Sequence, residues 1–445
     1  MSNQQTIMPR RILLTMLGSF GDVHPYMAIA MELQRRGHHP VIATSELYRE
    51  KMVAAGFDFI PVRPNIPPPQ EQDAEMMEKV MHPRLGSQFL LHEMLFPQLR
   101  DGYFDLLEAV KGADLLVTHP ITFAGPLVAQ KTGIPWISTV LAPASLFSVY
   151  DPPRPPFWQW LRHLSLLGPR FMTLFLNNAK KVYKSETYEQ FRKELNLPDR
   201  GSPLFEGSHS PNLVLALFSK IFAQPQADWP PQARATGFAF YDGKNELKMP
   251  DELLRFLDEG EPPIVFTLGT SAVWVARNFY RESIAAAQLL KRRAVLLIGD
   301  ERNKIVEGLT AGIIAVDYAP FELLLERSCA IVHHGGVGTT AQALRAGVPT
   351  LIVPFAFDQP DNAAHAERLG TSRTLHSSKY NRDNATRELD KLLNNPQYAL
   401  NAKRVSQQLR EENGAANACD AIQEFLDKLP PRPVETQDLI YASSN

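Results

Sequence analysis

One segment constrains this chain more than any other. It runs Ile331-Val332-His333-His334, then Gly335-Gly336-Val337-Gly338-Thr339-Thr340, with Gly347-Val348-Pro349 and Asp358-Gln359 following. It reads as a buried strand, a glycine turn, a helix, a second strand and a polar loop. A glycine turn that opens a helix leaves backbone N–H groups and the positive end of the helix dipole facing one small space, which suits a phosphate or pyrophosphate. Asp358 and Gln359 add a polar pair one βαβ step later. The segment therefore predicts a site for a phosphorylated, hydroxyl-rich ligand.

The rest of the chain repeats this alternation. In the first half, apolar or β-branched runs at residues 11–17, 40–44, 57–62, 114–118 and 136–140 are separated by helix patterns. In the second half, strand patterns fall at 264–267, 294–298, 313–316, 330–333 and 350–353. Unbroken apolar strands between helices imply parallel sheets covered on both faces. The fold class expected is α/β, with two doubly wound Rossmann-like halves facing across a cleft. A chain of 445 residues is long enough for two or three domains at a prior of ~150 residues each. Prolines and mixed charge place a linker at 224–250, between halves at 1–223 and 251–430; residues 431–445 read as a loose tail.

Composition narrows the function classes. A net charge of -2 argues against nucleic acid as the main partner. The two cysteines, Cys329 and Cys419, make neither a ligand cluster nor a disulfide framework, which fits a reducing compartment. The apolar run after Arg10-Arg11 is too short for a membrane span. A cytoplasmic protein is expected. Ligands of such sheets bind at the carboxyl ends of strands, near a topological switch point. Gly18-Ser19-Phe20-Gly21-Asp22, Thr118-His119-Pro120 and Gly269-Thr270-Ser271 all follow predicted strands.

Assembled, these motifs resemble the nucleotide-sugar-dependent glycosyltransferases of the GT-B fold (the UDP-glycosyltransferase family). The likeness is greatest to bacterial rhamnosyltransferases and to sterol glucosyltransferases. Gly18 to Pro25 (GSFGDVHP) matches the opening of that group. His209-Ser210-Pro211, Gln226-Ala227-Asp228-Trp229-Pro230 and Thr236-Gly237-Phe238 match its middle, and the stretch from His334 to Gln359 matches its donor signature. The resemblance spans about residues 11–375. It implies an acceptor-binding first half, a donor-binding second half, and a UDP- or dTDP-hexose as co-substrate with no other cofactor.

The resemblance also implies roles. Tyr318 stands where the family carries a tryptophan stacking on the donor base. His334 contacts a donor phosphate, and Gly21, Gly336, Gly338, Thr339 and Thr270 bring backbone and hydroxyls to the diphosphate. Gln342 replaces the glutamate that holds the ribose hydroxyls in plant relatives, which leaves both UDP and dTDP open. Asp358 and Gln359 hold sugar hydroxyls. No Asp-x-Asp motif occurs, so no metal site is indicated. Where many relatives pair a first-loop histidine base with a later aspartate, this chain has Asp22 and His119. The expected catalytic pair is thus exchanged, with Asp22 as base, His119 as its partner or substitute, and His24 as a third candidate. A lipophilic acceptor hydroxyl would be walled by residues 81–99, 141–150 and 157–175, including Phe147 and Trp158; the last segment could also touch a membrane surface. Two rival readings are a non-catalytic accessory protein and a sugar-nucleotide epimerase.

Overall fold

The computed structural model describes residues 8–67, 73–154, 168–242, 248–270, 272–299, 303 and 309–430. Trp158 and the tail at 431–445 lie outside them.

Seven parallel strands form the first sheet: β1 (Arg11–Thr15), β2 (His39–Thr44), β3 (Asp58–Pro61), β4 (Leu115–Thr118), β5 (Trp136–Val140), β6 (Val214–Ala216) and β7 (Ala233–Ala235). Their order is β3-β2-β1-β4-β5-β6-β7. The second sheet has six: β8 (Ile264–Thr267), β9 (Ala294–Leu297), β10 (Ile313–Val316), β11 (Ala330–His333), β12 (Thr350–Ile352) and β13 (Ser372–Thr374). Their order is β10-β9-β8-β11-β12-β13, again parallel throughout. The central strands are buried on both faces because helices cover both, so their residues are apolar without alternation.

In each sheet the order reverses at one place, between β1 and β4 and between β8 and β11. Register there is direct: Thr15 pairs with Thr118, and Thr267 with His333. The motifs following β1 and β4 therefore leave the sheet side by side, as do those following β8 and β11. The switch points bring together what the sequence scatters over a hundred residues.

Six helices matter for the site: α1 (Phe20–Arg35), α2 (Pro169–Val182), α3 (Val337–Ala346), α4 (Gln359–Arg368), α5 (Pro396–Arg410) and α6 (Gly414–Leu426). Two findings depart from the sequence expectation. Residues 224–250 are more than a linker, since β7 lies within them and closes the first sheet beside β6. The last helix, placed by sequence in the second half, returns to the first. In α6, Ala418, Cys419, Ile422 and Leu426 are buried in one core with Val23, Met27 and Leu33. Its amphipathic face needed a partner, and α1 supplies it.

The chain thus crosses between the halves twice, at 236–242 and at 411–414, and the crossings touch. A Cβ on Gly414 would stand 2.3 Å from the Phe238 carbonyl oxygen, and one on Gly237 3.0 Å from Glu412 Oε2. Only glycine lets the two strands of chain pack this closely.

Candidate active site

Asp22 is built into the start of α1. Ser19 is the N-cap, and its backbone N–H donates to Asp22 Oδ2 at 2.7 Å while its hydroxyl donates to the same oxygen at 3.1 Å. This capping box begins the helix at Phe20. Gly18 has φ +132°, and a Cβ there would lie 2.2 Å from Asp22 Oδ2. Glycine is required to let the carboxylate turn back over the loop. His119 is buried at the end of β4, with Nε2 3.4 Å from Asp22 Oδ1. Its Nδ1 accepts the Ile121 N–H at 3.4 Å, so the neutral ring carries its proton on Nε2, toward Asp22. Neither ring nitrogen is then open to a substrate proton. Asp22 keeps carboxylate lone pairs free, and His119 orients it.

His334 begins the loop after β11 and is buried. A Cβ on Gly269 would stand 2.5 Å from its Cε1, and one on Gly336 2.4 Å from its Nε2. The imidazole is slotted between the two glycine turns of the second switch point. Burial pulls its pKa down to about 4, so at neutral pH it is an uncharged donor. Its Nδ1 is buried without a hydrogen-bond partner. His333 serves the turn instead: its Nδ1 accepts the Gly335 N–H at 3.0 Å, and burial lowers its pKa well below the ordinary value.

The halves meet at these two helix starts. A Cβ on Gly338 would come within 3.4 Å of Gly21 Cα. Asp358, at the start of α4, has its pKa raised to about 6, chiefly by desolvation and further by the charge of Asp22 across the cleft. Asn362, one turn on, donates to Asp358 Oδ2 at 2.8 Å and to the Gly335 carbonyl at 3.0 Å. It ties the Asp358 carboxyl to the glycine turn. Gln359 is buried, and its Oε1 accepts the N–H groups of Phe355 at 2.8 Å and Ala356 at 3.0 Å. That leaves its amide hydrogens as what it can offer a sugar.

The other expected residues are more scattered. Thr339 is buried in the first turn of α3, while Thr270 is exposed after β8. Gln342, one turn beyond Gly338 on the same face of α3, lines a cavity of about 370 Å³ shared with Phe240, Glu322 and Arg345. Tyr318 is 50% exposed on the segment after β10. That strand lies two places from β8, or about 10 Å at the usual interstrand spacing. His24 stacks on Phe20 at 5.1 Å and lies 5.2 Å from the Tyr241 ring, on a different side of α1 from Asp22. Phe147 packs on Phe205 at 4.3 Å. Beside the ends of β1 and β4 a small, mainly apolar cavity is lined by Leu17, Val62, Leu95, Leu99, Ile121 and Phe123. Of the three expected acceptor walls, it uses only residues 81–99. Among the described residues, no group of three or more His, Cys, Asp or Glu converges as a metal site.

Comparison with known proteins identifies the family. Residues 282–429 match the erythromycin biosynthesis protein CIII-like C-terminal domain. Over 431 residues the chain is 32% identical to the O-mycaminosyltylonolide 6-deoxyallosyltransferase of Streptomyces fradiae, covering 94% of this chain and 98% of that protein. The chain belongs to the GT-B nucleotide-sugar glycosyltransferases. As a glycosyltransferase of this family it is also 28% identical to the sterol 3-beta-glucosyltransferase of Leptosphaeria maculans, over 94% of this chain but only 29% of that longer protein. The GT-B architecture is shared with the spinosyn rhamnosyltransferase SpnG, solved with thymidine diphosphate, at a TM-score of 0.65 and 16% identity over 92% of this chain and 99% of that one.

Sequence reading of this glycosyltransferase placed Ser19 and Gly269 in strand-end motifs without giving them a role, and it missed Asn362. Ser19 and Asp22 carry a capping-box spacing that was legible. Asn362 stands four residues from Asp358, the spacing at which helical side chains meet. The contact of Gly269 with His334 carried no signal, because only the switch-point register brings the two together.

Proposed function

We propose that the chain transfers a hexosyl or 6-deoxyhexosyl group, with inversion, from a dTDP- or UDP-sugar to a hydroxyl of a lipophilic small molecule. One observation carries this reading. The start of α3, where His334 is slotted between Gly269 and Gly336, meets the start of α1, which carries Asp22, with Gly338 closing on Gly21.

In this reading the acceptor oxygen bonds to the anomeric carbon as the bond from that carbon to the diphosphate oxygen breaks. Asp22 takes the acceptor proton, with His119 holding its carboxylate in line. Negative charge grows on the leaving diphosphate, where the α3 N–H groups, neutral His334 and Thr339 receive it. Tyr318 stacks on the base. Asp358 and Gln359 hold the sugar. Uncharged Gln342 at the ribose position, and thymidine diphosphate in the related fold, support dTDP over UDP as the nucleotide. The acceptors in the names of the macrolide and sterol relatives support an apolar acceptor. On α2, Phe171 and Leu174 are exposed and the helix carries lysines but no acidic residue. This favours contact with an anionic membrane surface where such acceptors dissolve.

The test is nucleotide release by purified protein given dTDP-rhamnose, dTDP-glucose or UDP-glucose, with a panel of lipophilic alcohols and phenols and EDTA in place of added metal. Acceptor-dependent release with inverted anomeric configuration is expected. Breakdown of donor without acceptor, giving a free epimerised sugar, would overturn transfer in favour of epimerisation.

A further inference from the structure

Tyr26 directly follows the GSFGDVHP motif and stands on α1 four residues after Asp22, the spacing at which helical side chains share a face. It is wholly buried. Its ring meets the His119 imidazole at 5.9 Å between centroids, tilted by 55°, within the range of aromatic contact. Three groups therefore meet that imidazole. Asp22 Oδ1 faces its Nε2, the Ile121 N–H donates to its Nδ1, and the Tyr26 ring lies against it.

The phenol hydroxyl of Tyr26 is committed elsewhere. Thr139 Oγ1 donates its one proton to the Thr118 carbonyl at 3.2 Å, so it accepts from the Tyr26 hydroxyl at 2.5 Å. Both threonines are buried. Burial raises the Tyr26 pKa well above its ordinary value, against the bond to Thr139, and the charge of Asp22 adds to the rise. With its proton held by β5, Tyr26 is neither acid nor base toward a substrate. What it gives the site is an anchored ring. The chain of bonds that anchors it runs through Thr139 to Thr118, the residue directly before His119.

We propose that Tyr26 is a positioning residue for sugar transfer, its anchored ring holding the His119 imidazole in the orientation that presents Nε2 to Asp22. Ser19 satisfies only Oδ2 of that carboxylate, and His119 is the donor that faces Oδ1. An imidazole free to turn about its side-chain bonds would leave Oδ1 without it. The kinetic consequence rests on the reading of Asp22 as the base; the hold on His119 does not.

Tyr26→Leu, Tyr26→Phe and Thr139→Val in the full chain test it, by steady-state kinetics and by NMR of protein labelled with 15N-histidine. The His119 signals are assigned by their loss in His119→Gln. Wild type should show one His119 tautomer, protonated at Nε2. In Tyr26→Leu the second tautomer should appear, and kcat should fall at least about tenfold with both KM values nearly unchanged. Tyr26→Phe keeps the ring and should return both readouts toward wild type, with a lower melting temperature from the lost bond to Thr139. Should Tyr26→Leu fail to fold, Thr139→Val keeps the shape of the core but strands the phenol proton, so the ring must shift to find an acceptor. The second tautomer and the fall in kcat are then expected there. A single His119 tautomer in the folded one of these two variants would overturn the proposal, as would equal losses in Tyr26→Phe and Tyr26→Leu. If wild-type protein transfers no sugar, the proposed function fails, and the tautomer alone decides whether Tyr26 holds His119.

Discussion

At Asp358 the protein holds a carboxyl where burial and a second carboxylate both disfavour its charge. The charged form is the better acceptor for sugar hydroxyls, so donor kcat/KM should rise with pH through about 6, and Asp358→Asn should flatten that limb. The same group bears on stability. Its folded pKa is raised, so its contribution is present below its ordinary pKa of 3.8 and lost as pH climbs through about 6. Asp358→Asn should therefore raise the melting temperature at pH 8 and change it little near pH 4, while transfer falls. At Asp22, replacement by asparagine preserves a cap acceptor for Ser19 but removes the carboxylate proposed as base. Turnover should drop about a hundredfold to ten-thousandfold with nucleotide binding intact, read by calorimetry. Full turnover in that variant would remove Asp22 from the role. The types of these residues were legible in the sequence; their environments were not. Nothing in the string places Asp22 within electrostatic reach of Asp358, because that proximity arises only when two helix starts converge.

Secondary elements were read well where they were long and apolar, and poorly where they were short. β8, β10 and β11 fall where the apolar runs lie. Of the four three-residue strands, β12 was legible in the apolar run at 350–353, while β6, β7 and β13 were not. β7 reads Ala-Arg-Ala at a sheet edge and is recognisable only through its pairing with β6. The start of α1 shows the competition between signals. Pro25 suggests a helix opening near His24, yet the Ser19–Asp22 box begins it earlier and the helix tolerates the missing N–H. Ser19→Ala should cost about 1 kcal/mol of stability by urea unfolding and should lower kcat further by freeing Asp22. Gly336→Ala would drive a methyl group into His334. Nucleotide affinity should fall in that variant, measured by titration, with the fold retained by circular dichroism.

The whole molecule is closed by its last helix. α6 returns to cover α1, and Cys419 Sγ meets the Ile29 carbonyl at 3.5 Å, with burial pushing the thiol pKa up to about 12. Ile422→Ala should cost about 2–4 kcal/mol, and the native thiol should resist alkylation until the protein unfolds. Sequence reading gave α6 to the second half because helices usually pack near their neighbours in the chain. The exchange has a mechanical consequence. A body joined to another by one thread can drift and tumble; joined by two threads pressed side by side at Gly237 and Gly414, it swings like a door on closely set pins. Such a joint favours rotation over sliding. Any opening that admits a sugar nucleotide must then pivot about those glycines, and the far rim of the cleft travels most.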